Sequence, residues 1–433
     1  MHRAPLILLA VCFCAQAQFS GPSILSRSTV APINRGGQAI AFRPYVGISG
    51  IYDSQLIPVS VNSEGTIPLT HDIGIEGNAG IYGYKPLKRT LISLAYRATF
   101  RHFNQQSYYD ETDQYLDLGV GHQVSRRLRV DFRETAGSLS RYYGLYSTAS
   151  LIDPDVTHVS DPLFDNRTLY LSTTGMVQYQ KSLRLSFSAG GQGYLVRRRS
   201  SSLYGVTGAV AHGDMAYRLN RTTTIGVAYM FTHFGFTKGF GTSNLHAVFV
   251  TISKQLSRYW QAALMAGGMR VESLSLAQVT IDPVIAAIIG QNTGIRAVYT
   301  VVYVPSWQAN LSRRFHHGLA TVTYSRTVTP GNGVYLTSRS DTGGVVLSYT
   351  ALKNWNFGGS IGYTRLGALA QNYRPYTGYN AGFGITRRLL KSIHADARVD
   401  ARQYRTTASF HPRSYRATVG FTWSPGETAL RLW

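Results

Sequence analysis

The residues best placed to do chemistry stand in alternation. In Ile393-His394-Ala395-Asp396-Ala397-Arg398-Val399-Asp400-Ala401-Arg402 every even position is His, Asp or Arg and every odd one is apolar. Leu128-Arg129-Val130-Asp131-Phe132-Arg133 repeats the pattern, and Arg97 and Arg101 share one parity within 89–103. Successive side chains of a strand point to opposite faces, so each run carries one apolar and one charged face. The chemistry of such a charged face is a fixed field and not turnover. Arginine stays protonated at physiological pH, and a low-dielectric wall focuses its field into adjoining water. With the apolar residues turned outward, Arg97, Arg101, Arg127, Arg129, Arg133, Arg398 and Arg402 share an inner face with fewer acids, Asp131, Asp396 and Asp400. The expectation is a basic sector that favours anions. The competing reading pairs each arginine locally, so that it only holds the wall together.

Catalytic readings are weaker. Gly358-Gly359-Ser360-Ile361-Gly362 fits the G-x-S-x-G pattern, but a nucleophile elbow needs a strand–turn–helix context and this copy lies mid-strand. His316-His317 and the scattered histidines show no ligand spacing with a carboxylate on one face, so no metal and no cofactor is expected. Tyr108, Tyr109, Tyr142, Tyr143 and Tyr146 fall in segments read as loops, where stacking on sugars competes with a plain surface role. The formal charge of +22 is spread over turns and strand faces, and nucleic acid is therefore not expected as a partner. Anionic lipid headgroups and anionic solutes suit that distribution better.

The elements that must position these residues are strands. The 433 residues include 43 Gly and 29 Tyr distributed evenly, with charged residues at 15%, a uniform texture that excludes a coiled coil or a disordered chain. Met1-His2-Arg3, the apolar run Leu6 to Cys14 and Ala15-Gln16-Ala17 read as a secretory signal over 1–17. Bulky Val11 and Phe13 precede Cys12 and Cys14 and disfavour lipidation there, and both cysteines fall inside the signal. Beyond it no run of 18 apolar residues occurs, so a bilayer would have to be crossed by a closed barrel. Basic turn residues Lys88, Arg126, Lys181, Arg221, Arg258, Arg313, Lys353 and Lys391 are spaced 38, 55, 40, 37, 55, 40 and 38 apart. Five of these gaps fit one hairpin, and the two long ones each hold one extended loop, 141–166 and 273–294. Eight turns join sixteen strands, and one more at each end gives eighteen, with sixteen as the alternative. The expected fold is all-β, a transmembrane antiparallel up-and-down barrel over 40–424, after a periplasmic segment 18–39 and before a tail 425–433. Short turns face the periplasm and long loops the exterior.

On the signal peptide, the hairpin period and the terminal Leu430-Arg431-Leu432-Trp433, residues 40–433 resemble the Gram-negative outer-membrane β-barrels, porin-like members in particular. The resemblance implies residence in the outer membrane among its lipid and lipopolysaccharide, and recognition by the barrel-assembly machinery through the C-terminal end. The tail departs from the pattern, because Ser424-Pro425-Gly426-Glu427 breaks the last strand before Trp433. It is similar in this to barrels found near polysaccharide-export genes. Two functions follow: a non-enzymatic channel passing small, anionic solutes, or a non-conducting component of an exopolysaccharide secretion assembly.

One loop carries its own expectation. Segment 273–294 is the most apolar of the external loops. Asp282 and Pro283 form an N-cap and N1 pair, and Gly290 ends a turn or two of helix. An apolar helix fits poorly in external water, so it is expected to fold inward as a constriction or to pack on a neighbouring protomer. The β-branched Ile285, Ile288 and Ile289 favour a strand extension instead.

Overall fold

A computed structural model describes residues 42–56, 70–105, 110–139, 167–199, 203–331, 333, 336–349, 354–369, 375–405 and 413–424. The signal 1–17, the segment 18–39, the tail 425–433, all five loop tyrosines and the turn residue Lys353 lie outside them.

The described chain is eighteen antiparallel strands and one short helix. The first nine are β1 (Arg43–Leu56), β2 (Thr70–Pro86), β3 (Thr90–Phe103), β4 (Glu111–Gln123), β5 (Leu128–Leu139), β6 (Thr168–Gln180), β7 (Leu185–Arg198), β8 (Gly205–Arg218) and β9 (Thr223–Thr237). Then follow β10 (Thr242–Gln255), β11 (Trp260–Thr280), helix α1 (Pro283–Ile289), β12 (Thr293–Phe315), β13 (Gly318–Thr329) and β14 (Ser338–Tyr349). The chain closes with β15 (Trp355–Ala368), β16 (Tyr376–Arg388), β17 (Ile393–Arg405) and β18 (Arg413–Trp423). Each strand pairs with its sequence neighbours, and β1 pairs with β18 from Val46↔Trp423 to Asp53↔Arg416, which closes the ring.

Alternation decides the faces. Val46 and Ile48 of β1, Val345 and Leu347 of β14, Ile361 of β15, Phe383 of β16, Val399 of β17 and Val419 and Phe421 of β18 are all exposed on the outer surface. Between them on the same strands, Ser49, Asp53, Ser360, His394, Asp400, Arg402, Arg416 and Thr422 are buried on the inner one. A barrel in water would not expose such a band, whereas lipid requires one. The band ends in aromatic residues at the short-turn side. Arg387 lies over Trp355 at 5.0 Å and Arg313 over Trp260 at 5.1 Å, cations positioned to meet headgroups beside rings that favour the interface.

Among the described residues the short turns fall where the basic residues mark them, with one shift. Ser125 Oγ accepts from the backbone N–H of Arg127 and Leu128, and Ser182 Oγ does the same for Arg184 and Leu185. Asn220 Oδ1 accepts from Thr222 and Thr223. The turn expected at Ser312-Arg313-Arg314 instead lies at His316-His317, because β12 continues to Phe315. Arg127 also differs from expectation: it sits in the turn before β5 and is exposed.

The expected loop 273–294 is mostly strand. β11 runs 21 residues and β12 runs 23, paired from Trp260↔Arg313 to Thr280↔Thr293. β10 accompanies β11 only as far as Leu274, and β13 accompanies β12 only from Trp307. The hairpin therefore stands beyond the rest of the wall, with α1 at its tip. The capping reads as expected: Asp282 Oδ1 accepts from Val284 N–H at 2.8 Å, Pro283 is at N1, and Gly290 closes the helix at φ 70°.

If the outer face meets hydrocarbon, Ile361→Arg should destabilise the barrel by about 2–4 kcal/mol, read from reversible urea unfolding in lipid vesicles. An unchanged midpoint would place Ile361 on the other face.

Candidate functional site: the lumen

The inner wall has two unlike halves. On β2–β5 and β17–β18 it is charged. Glu76 of β2 accepts from Arg101 of β3 at 2.7 Å and from Arg416 of β18 at 3.0 Å, and Arg101 also donates to Asp113 of β4 at 2.6 Å. Arg133 of β5 holds Asp117 of β4 at 2.7 Å. Arg129 and Arg398 each chelate the carboxylate two residues ahead on the same strand, Asp131 and Asp400, with contacts of 2.6–2.9 Å. Arg402 donates to Ser414, and Thr422 donates to Asp396 at 3.2 Å. These are charge-assisted bonds with arginine's planar fork.

Arg97, Arg101, Arg129, Arg133, Arg398 and Arg402 are thus brought onto one contiguous inner sector, with Asp131, Asp396 and Asp400 beside them. Arg127 is not among them. Sequence reasoning missed Glu76, Asp113 and Asp117, the acids that pair across strands, because a cross-strand partner depends on register and not on local alternation. A readable signal existed: Asp113 and Asp117 sit at one parity of β4, four residues apart, like the arginines opposite them. With them the sector is a charge-balanced ladder.

On β6–β12 the inner wall carries an apolar cluster among polar residues such as Ser172, Ser243 and Ser273. Tyr170, Val196, Val206, Phe234, Leu245, Phe249, Met269 and Val271 form one buried cluster. A barrel of this size cannot bury so many inward side chains against its own far wall. What covers them is the connection between β13 and β14. Its Thr329, Pro330, Gly331, Gly333 and Thr337 are buried, and Leu336 packs on the cluster. Thr337 Oγ1 meets Ser243 Oγ of β10 at 2.7 Å, and Ser243 donates to Ser273 of β11 at 3.0 Å. Farther along the ring, the Gly333 carbonyl accepts from Tyr204 N–H at 3.2 Å, just before β8. Gly333 has φ +94°, and a Cβ there would lie 2.7 Å from Nε of Arg198 at the end of β7. Gly333, in the connection from β13 to β14, is therefore held at the β7–β8 corner. Arg198 donates from Nε to the Tyr204 carbonyl at 3.2 Å, and its Nη2 is buried with no hydrogen-bond partner.

This inward segment is not the one expected. In α1, Val284 and Ile288 are 70% and 80% exposed and Ala286 is buried, so the described side chains Asp282, Val284 and Ile288 of the tip that also carries Pro283 and Ile285 face outward into solvent. The notable feature of 330–337 in the sequence was the reverse of apolar length: Pro330-Gly331-Asn332-Gly333 reads as a simple turn.

Ser360 lies mid-strand in β15 with β16 as the next element, so the elbow context is missing. Among the described residues no group of three or more His, Cys, Asp or Glu side chains converges as a metal site.

A closed ring of strands with an apolar outer band, a charged inner sector, short turns at one end and long connections at the other is a β-barrel of the kind that crosses a bilayer. No protein-family model matches the sequence, and no curated protein does. Solved structures similar to it include Pseudomonas aeruginosa OccK5 (OpdH), at 9% identity over 88% of this chain and 98% of that one with a TM-score of 0.41. Acinetobacter baumannii OccAB4 has 11% identity over 89% and 99%, at 0.40. P. aeruginosa OccK2 (OpdF) in complex with glucuronate has 9% identity over 88% and 98%, at 0.41. Likeness at this level assigns the chain no solute.

The ladder makes a stability prediction. Glu76→Leu leaves two buried guanidiniums without their shared carboxylate and should cost about 3–5 kcal/mol. Asp131→Ser opens a half-exposed pair and should cost at most about 1 kcal/mol. Equal losses in urea titrations of the two variants would contradict this geometry.

Proposed function

We propose that the protein is an outer-membrane channel for the passive passage of small polar solutes, with preference for those carrying an anionic group. One observation supports this reading: Pro330, Gly331, Gly333 and Thr337 are buried and Leu336 packs on the apolar cluster of the inner wall, so the water column is bounded by the charged ladder on the other side. Eighteen strands enclose more space than their own side chains fill, which leaves room for that column.

The preference for anions rests on geometry and not on an excess of positive charge. The carboxylates of the ladder are turned toward guanidiniums, each of which has five N–H donors. A solute carboxylate or phosphate passing this wall would meet a row of guanidiniums. Beside Gly333, Arg198 has no carboxylate partner among the described residues. A solute anion there would satisfy a donor that is otherwise buried and unpaired, and such a donor is costly to leave unmade.

Planar-bilayer recording tests both parts. Removing residues 331–336 should raise single-channel conductance severalfold, while removing 277–290 from the exposed hairpin tip should leave it unchanged; the opposite result would return the constriction to α1. In a salt gradient, Arg198→Ser should move the reversal potential toward cation preference. Cation preference in the unaltered protein, or no shift in that variant, would rule out the anion reading, and a barrel that never conducts would rule out the channel.

A further inference from the structure

A second cluster of arginines lies at the external rim, where Arg197 and Arg199 are exposed on the outer face and Arg198 is buried on the inner one. At the external ends of β3–β7 lies a cleft of about 490 Å³ lined by Phe100, Thr112, Ser138, Leu169 and the arginines 167, 197, 198 and 199. Its floor is outward-facing: Phe100 and Leu169 are exposed on the apolar band, and Leu169 is paired in register with Ser138 of β5 and Arg197 of β7. Arg197 and Arg199 are two residues apart and therefore project on the same side, opposite the inward Arg198, and both are exposed. Arg167 bears the same two-residue relation to Leu169, and its carbonyl accepts from Arg199 N–H at 3.0 Å. Neither Arg197 nor Arg199 has a carboxylate partner among the described residues. The acids that also line the cleft are turned to other work: Asp110 accepts from Phe103 N–H at 2.8 Å and contacts His102 at 2.6 Å, while Glu111 is buried by the inner wall.

We propose that this cleft seats the phosphate of a phosphorylated glycolipid of the outer leaflet. The outward Arg197 and Arg199 supply N–H donors matched to phosphate oxygens. Thr112 and Ser138 add hydroxyls at the level of a headgroup sugar. Phe100 and Leu169 below continue into the band against which acyl chains pack. A free anion would use the guanidiniums and leave the apolar floor without a partner, which favours a lipid. The proposal rests on the barrel spanning a membrane, and it is independent of what the lumen passes.

The test uses the full-length barrel in detergent, titrated with diphosphoryl lipid A and with its enzymatically dephosphorylated form, bound lipid being counted by native mass spectrometry. The phosphorylated lipid should be retained at least tenfold more tightly, and Arg197→Ser/Arg199→Ser should lower its retention by about tenfold or more. Arg199→Ser alone should give an intermediate loss, which keeps the test decisive if the double variant does not assemble. Equal retention of both lipids, undiminished retention by the variants, or displacement of the lipid by equimolar inorganic phosphate would each overturn the site. Channel conductance of the same variants should stay at the unaltered level. Loss of lipid with conductance intact addresses this cleft alone, and a silent but lipid-bound barrel addresses the channel alone.

Discussion

Hydrocarbon offers no hydrogen bonds, so every backbone N–H and C=O at membrane depth must find its partner within the chain. The seam between β1 and β18 is where that condition is met last. Eight consecutive residue pairs join the two ends there, and they admit little error in register. Gly420 shows how tight the fit is: a Cβ at that position would collide with Ser49 and the Ile48 carbonyl. Once the seam closes, strand number sets the bore, and alternation assigns each side chain to lipid or lumen with no further choice.

The division of the lumen follows from what each half can do with its inward residues. On β2–β5 and β17–β18 the inward side chains are long and charged, and they satisfy one another across strands, as Glu76 does for Arg101 and Arg416. On β6–β12 a cluster of them is Tyr, Val, Leu, Met and Phe, which gain little from water and need a cover. The β13–β14 connection provides it. Its conformation depends on Gly333 at positive φ, where a side chain would strain the backbone and press on Arg198. The bore is thus narrowed from one side by apolar burial and lined on the other by ion pairs.

Much of this was legible in the residues. Period-two alternation and the spacing of basic turns yield the barrel and its strand number, because both signals are local and repeat along the whole chain. The cap at Asp282-Pro283 is equally local and reads correctly. What escaped is what depends on register or on distant contacts. His316-His317 makes the turn in place of Arg313 because β12 continues past Arg313 in register with β13, to Phe315↔Gly318, a pairing no single strand reveals. Glu76, Asp113 and Asp117 enter the ladder only when neighbouring strands are aligned. The inward segment 330–337 is short, glycine-rich and polar at its start, and its burial becomes visible only with the apolar wall opposite.

The β11–β12 hairpin has a consequence of a different kind. Over 293–303, β12 pairs with β11 on one side and, among the described residues, with nothing on the other. In an antiparallel ladder successive amides point alternately to the two sides. Every second amide of this stretch is therefore held by β11 while its neighbours are open to water. Exchange with deuterium would proceed along it as a comb, fast and slow by turns, whereas the same strand below Trp307 is protected at every position. The boundary between the two regimes marks the height at which the wall of the barrel ends.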